Sequence, residues 1–188
     1  ARARRSLAEQ WEERLDEWNV APFFAASKGR TAVDPVYRRA VRAEAAAAGG
    51  RCVVTGLWDI AKFFERIVHE LLVRRACRVA PPLRALRVCL AMYRAVRYLT
   101  IAPFVASPVR ARTGVTAGCA FATTWVKVYT IEPMQEAIAD VTWYVPPSVN
   151  TNVDLYIDDL QMDVEADTEQ EAACAFVDMA EIFSDMIK

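Results

Sequence analysis

The chain has 188 residues, 54% of them hydrophobic and 25% charged, with a net charge of −1. That length supports one domain with a core of its own, and the apolar content excludes a disordered chain. No uninterrupted apolar run is long enough to span a bilayer, and the opening ARARRS leads into a charged helix, unlike a secretory signal.

The net charge hides an asymmetry: residues 1–112 carry 21 Lys/Arg against 10 Asp/Glu, and residues 113–188 carry two against 14. A basic half suits a polyanion and an acidic half suits bound cations, although on charge alone two solvated surfaces are the favoured reading. Five scattered cysteines (Cys52, Cys77, Cys89, Cys119, Cys174) without a CxxC pair argue for a reducing, intracellular setting and against a disulfide framework or structural zinc. They are read as small core residues. The chain starts without Met, so a piece of a longer protein is expected.

In chain order, 5–19 has helical spacing, with Leu7, Trp11, Leu15 and Trp18 on one face. Residues 22–35 read as a loop closed by a Pro, and 35–48 as an alanine-rich helix ended by Gly49-Gly50. RCVVTGLWDI (51–60) is β-branched and apolar, a core strand. Helical period returns over 63–76 and, past Pro81-Pro82, over 83–99, where Arg84, Arg87 and Arg94 form a solvated stripe. Residues 100–113 are extended, 114–120 a small-residue turn, and the next segment a helix interrupted near Pro133. Strand-like VTWYV follows within 140–149, then strand, turn and strand over 153–166, and a closing amphipathic helix. Helices and strands without βαβ alternation predict an α+β fold.

Three acidic residues interrupt strand-like context: Asp59 after RCVVTGLW, and the adjacent Asp158 and Asp159 in YIDDL. Burial and mutual repulsion both penalise such a pair. Either it sits on an exposed turn, which is the common use of paired Asp, or it shares a cation. Carboxylates at strand ends are rigidly held, and hard oxygen ligands suit Mg²⁺.

The order DIAKFFERIVHELL (59–72), GVTAGCA (114–120), YIDDL (156–160) resembles the motifs of reverse transcriptases of the group II intron and non-LTR retroelement type. In the first motif Asp59, Ile60, Phe63, Phe64, Ile67, His69 and Leu72 fall in register, with Glu65 in place of Asp. In the second, Gly114 and Gly118 match, while Thr116 and Ala117 replace Pro and Gln. Tyr156, Asp158 and Asp159 match the third, and Lys28, Gly29, Arg30, Thr31 and Asp34 resemble the family's upstream loop. The likeness covers about 24–180 and rests on four ordered motifs.

The resemblance implies a palm-like antiparallel sheet covered by helices. Residues 1–50 would form part of the fingers and 51–188 the palm, with motifs at 59–72, 114–124 and 154–162. The rest of the fingers would lie before residue 1 and a thumb beyond Lys188, so this piece alone is expected to bind nucleotides weakly. The activity implied is two-metal nucleotidyl transfer to a primer 3′-hydroxyl. Asp59, Asp158 and the carbonyl of Ile60 would ligate two Mg²⁺ ions (or Mn²⁺), with Asp159 supporting. Phe64 and Ala117 would lie at the incoming dNTP, Phe64 excluding a 2′-hydroxyl. Arg30, Gly114, Gly118 and Tyr156 would meet the RNA template and the DNA or RNA primer. His69 is expected to be structural. No membrane partner is expected. The alternatives are a catalytically impaired retroelement remnant that only binds nucleic acid, motivated by Ala117 and Glu65, and an α+β module whose acidic turn binds Ca²⁺ or a basic partner.

Overall fold

The structure, a computed structural model, describes residues 2–17, 20–26 and 31–187. In chain order the elements are α1 (Arg2–Glu17), α2 (Val33–Ala48), β1 (Cys52–Asp59), α3 (Phe63–Arg66), α4 (His69–Val79) and α5 (Leu83–Tyr93). There follow β2 (Thr100–Ile101), β3 (Phe104–Val105), α6 (Ala122–Tyr144), β4 (Asn150–Tyr156), β5 (Asp159–Ala166) and α7 (Glu169–Ile187). This is a mixed α+β fold with small antiparallel sheets, as the sequence led us to expect. The chain divides into two compact units, one made of Ala1–Arg14 and Lys62–Tyr129, the other of Leu15–Ala61 and Thr130–Lys188.

The second unit is built on a three-stranded antiparallel sheet in the order β1-β5-β4. Its register pairs Gly56 with Met162, Trp58 with Leu160 and Leu155 with Leu160. Alternation therefore gives the sheet two chemically distinct faces. Leu160, Met162, Val164, Ala166 and Leu155 form the apolar one and are buried. Against it α7 lays Ala172, Ala175, Met179 and Phe183, all buried and at helical spacing. Gly56 lets this layer close: a Cβ there would stand 2.3 Å from the ring of Phe176. Residues 23–25 add a short parallel edge to β4, with Leu155 N–H donating to Phe23 O at 2.7 Å and Ala25 N–H to Leu155 O at 2.9 Å.

The opposite face, carrying Thr55, Leu57 and Asp59 against Asp163, Gln161 and Asp159, is polar. Asp154 and Asp163 on it are buried, 6% and 5% exposed, an expensive placement for carboxylates. Helix α2 makes it tolerable. Arg42 Nη2 donates to Asp154 Oδ2 at 2.9 Å and its Nη1 lies 3.4 Å from Asp163 Oδ2. Thr55 donates to Asp163 at 2.9 Å, and Gln161 Nε2 donates to its other oxygen at 3.0 Å.

In the first unit, Trp11 Nε1 donates to Val79 O at 3.0 Å, and Glu12 takes Thr124 and Lys127 on its two carboxylate oxygens, each at 2.7 Å. These bonds tie α1 to α4 and to the start of α6. Leu7, expected on the inner face, is exposed, and Trp18 lies outside the described residues.

Several expected elements differ. Residues 63–76 form two helices, because Phe64 O and Ile67 O accept from Val115 N–H (2.8 Å) and Gly114 N–H (2.9 Å) in place of continuing the helix. The helix expected over 83–99 stops at Tyr93, and β2 and β3 pair beyond it. Helix α6 runs through Pro133 and includes 141–144, which the sequence had suggested as strand. Proline lacks the N–H that would bond the carbonyl four residues back. That carbonyl, of Tyr129, accepts from Arg75, whose guanidinium also lies 4.5 Å from the Tyr129 ring centre. Of the cysteines, all free, Cys89 alone is buried, and Cys77 and Cys174 are exposed, which corrects their reading as core residues.

Candidate carboxylate site

Strand β1 ends on Asp59 and β5 begins on Asp159, and the register sets the two directly opposite. Directly opposed residues of an antiparallel pair project to the same face. Tyr156, last of β4, also pairs with Asp159, so the hairpin has a two-residue turn, Ile157–Asp158. Ile157 has φ 62°, a left-handed conformation that a β-branched side chain adopts only under strain of about 1–3 kcal/mol. Ile60 N–H donates to Asp158 O at 2.9 Å, carrying the pairing one step past the end of β1. All three aspartates thus gather at one end of the sheet.

Their proximity has an electrostatic signature. Partial burial, and then the charges of Asp158 and Asp59, raise the Asp159 carboxyl above its ordinary value of 3.8. The folded chain holds this proton more tightly than the unfolded chain. Ionising Asp159 therefore costs stability as pH rises through 3.8 and above. Asp159→Asn is expected to be more stable than the parent at about pH 7, with the gap closing below about pH 4. Urea unfolding across that range measures it, and a variant less stable at neutral pH would contradict the repulsion.

A cavity of about 350 Å³ opens beside this group, with Asp59, Asp159 and Tyr156 in its wall together with Trp58 and, from α2, Pro35 and Val36. Among the described residues no group of three or more His, Cys, Asp or Glu side chains is placed to hold a metal ion. Magnesium does not need one: it is held by one or two carboxylates and completes its octahedron with water and phosphate oxygens. An open set of mutually repelling carboxylates beside a cavity fits that ion and does not fit an all-protein cage.

Of the remaining predicted residues, Phe64, Gly114, Ala117 and Gly118 lie in the first unit. Phe64 is half-buried, its ring 6.4 Å from that of Phe63. Its carbonyl bond to Val115 and the Ile67 bond to Gly114 set the end of the first motif against the start of the second. Gly114 and Gly118 have φ 94° and 82°, conformations that side chains resist, so both are required by the turn itself. Ala117 is exposed within it. Arg30, with Lys28 and Gly29, lies outside the described residues. The second unit brings together Asp59, Ile60, Tyr156, Asp158 and Asp159, and the first brings together Phe64, Gly114, Ala117 and Gly118.

His69 is wholly buried, with Nε2 2.7 Å from Gly114 O and Nδ1 accepting from Arg94 Nε at 3.3 Å. Because Nδ1 accepts, the proton is on Nε2, and both ring nitrogens are occupied. The residue is structural, a brace for the turn.

Two features escaped the sequence reading. One is the Arg42 network under the sheet's polar face, signalled only by Arg38 and Arg42 one helical turn apart and by carboxylates at alternate strand positions. The other is that residues 71–131 hold ten Lys/Arg and no Asp or Glu. Within this stretch 94–110 is exposed throughout, including Tyr98 and Phe104. Among the described residues no helix is long and apolar enough to cross a membrane. Compared with protein-family models and with curated proteins, the chain matches none.

Proposed function

We propose that this chain carries the catalytic core of an RNA-directed DNA polymerase, with the sheet of the second unit as its palm. The observation that carries the reading is the placement of Asp59 directly opposite Asp159 at the end of a hairpin whose turn holds Asp158. An aspartate from a neighbouring strand and two from a hairpin tip are what phosphoryl transfer asks of a protein, which supplies positioning and charge neutralisation and little covalent chemistry. The order of motifs along the chain supports the same reading.

Asp59, Asp158 and Asp159, with the carbonyl of Ile60, would hold Mg²⁺. When bound, the ions supply a more acidic primer hydroxyl and a counter-charge for the leaving pyrophosphate. Tyr156, beside Asp159, would contact the primer end. The ring of Phe64 would stand under the sugar of the incoming dNTP and exclude a 2′-hydroxyl. The acid-free stretch 71–131, with exposed arginines and aromatics, suits an RNA template and primer through phosphate contacts and base stacking. A nucleic-acid-binding remnant is the second reading, favoured by Ala117 and Glu65 at positions where the resembled family carries Gln and Asp.

Primer extension on an RNA template, with Asp158→Asn beside the unaltered protein, separates the two. Mg²⁺-dependent DNA synthesis lost in the variant is the expected result. Equal incorporation by both proteins would sink the assignment, and duplex binding without incorporation by either favours the remnant.

A further inference from the structure

A second cavity in the second unit is lined by none of Asp59, Asp158 and Asp159, and shares Asp154 with the cavity beside them. It has a volume of about 620 Å³, within the range of small-molecule sites. Apolar side chains line it, from Phe23, Val41, Val141 and Val153, while Arg38 and Arg42 enter from α2 and Asp154 from β4. The charged residues in the wall are thus two cations against one anion.

The two arginines are not equivalent. Arg42 is fully engaged, with Asp154, Asp163 and the carbonyl of Arg38, which accepts from Nε at 3.3 Å. Arg38 lies 3.2 Å from Asp154 Oδ1 through Nη2, yet that buried nitrogen makes no hydrogen bond, and the side chain is 41% exposed. A guanidinium presents donors in a fork that matches a planar anion, and here most of the fork faces no protein acceptor.

We propose that this cavity binds a small amphipathic anion, with its apolar body over Phe23, Val41, Val141 and Val153 and its carboxylate, sulfonate or phosphate head on Arg38. The assignment is independent of the polymerase reading. Arg42 also neutralises Asp163 behind the wall, so apolar burial supplies the affinity, and the free donors of the Arg38 fork supply the preference for a charged head over a neutral one.

The probe is 1-anilinonaphthalene-8-sulfonate, a flat apolar anion whose fluorescence rises on transfer out of water. Arg38→Gln removes the head-group partner and leaves Asp154 paired with Arg42. Val41→Glu places a carboxylate at the half-open rim on a helical position that accepts Glu readily. Each is expected to weaken dye binding about tenfold, the scale of one charged hydrogen bond. The uncharged N-phenyl-1-naphthylamine is expected to be indifferent to Arg38→Gln. Far-UV circular dichroism confirms that each variant keeps the parent's fold. If dye affinity stays within about twofold of the parent in either folded variant, the proposal is overturned, and the dye sits elsewhere, such as on the exposed apolar segment 98–105.

Discussion

Arg42→Met is expected to lower the unfolding free energy of the protein by about 3 kcal/mol. Methionine keeps most of the arginine's apolar stem, so the loss reports the guanidinium. That group is shared between Asp154 and Asp163, both nearly excluded from water. Removing one partner of a buried ion pair strands the other as an uncompensated charge, which costs far more than the pair contributes relative to an apolar substitute. Arg38 still faces Asp154, which places the expected loss at the lower end of the range for such sites. Asp163 keeps Thr55 and Gln161, two neutral donors that stabilise a carboxylate less than a cation does. Neutralising both acids in the same background (Arg42→Met with Asp154→Asn and Asp163→Asn) should recover a large part of the loss in urea unfolding, because the network then has no charge to strand. A single-variant loss below about 1 kcal/mol would mean that water reaches these carboxylates.

His69→Ala is the second substitution with a large expected cost, again about 3 kcal/mol, for two separable reasons. The ring is wholly buried, so truncation leaves a cavity beside Tyr93, whose ring centre is 6.2 Å away. It also orphans the Gly114 carbonyl and the Arg94 Nε donor. His69→Phe separates the two contributions by restoring a ring of similar volume without restoring either bond. It is expected to recover about half of the loss, leaving roughly 1–2 kcal/mol for the unmet polar groups. Hydrogen exchange at the Gly114 and Val115 amides locates the effect. Faster exchange there in both variants is the outcome that fits a brace on the turn, and unchanged exchange would detach His69 from it.

What the sequence made legible were the elements whose causes are local. The hairpin at 154–162 is set by alternation and a polar turn, the closing helix by its apolar spacing, and β1 by its β-branched run. The gathering of Asp59 with Asp158 and Asp159 at one end of the sheet was legible as well, although composition and spacing alone left the pair a turn and only the ordered motifs set Asp59 beside it. What stayed hidden depends on partners far along the chain. Pro133 looked like a helix terminator because the group that satisfies the Tyr129 carbonyl is Arg75, 54 residues earlier. The break between α3 and α4 is written in residues 114 and 115. Arg42 looked like one more charge on an alanine-rich helix, and its role exists only once β4, 112 residues on, lies beneath it. The cysteines were misread because type preference says nothing about which helix face is covered.

The two units are interleaved along the chain, which passes from one to the other three times. Neither unit is therefore a contiguous stretch that a single cut could release intact. The order of synthesis adds a temporal consequence. Trp11 is complete only when Val79 has been made, and Glu12 only when Thr124 and Lys127 have. As the chain leaves the ribosome, α1 must wait until the residues 112 and 115 positions beyond Glu12 have been made, with its apolar side uncovered. In that interval a holdase that shields exposed helices has its strongest purchase on this protein.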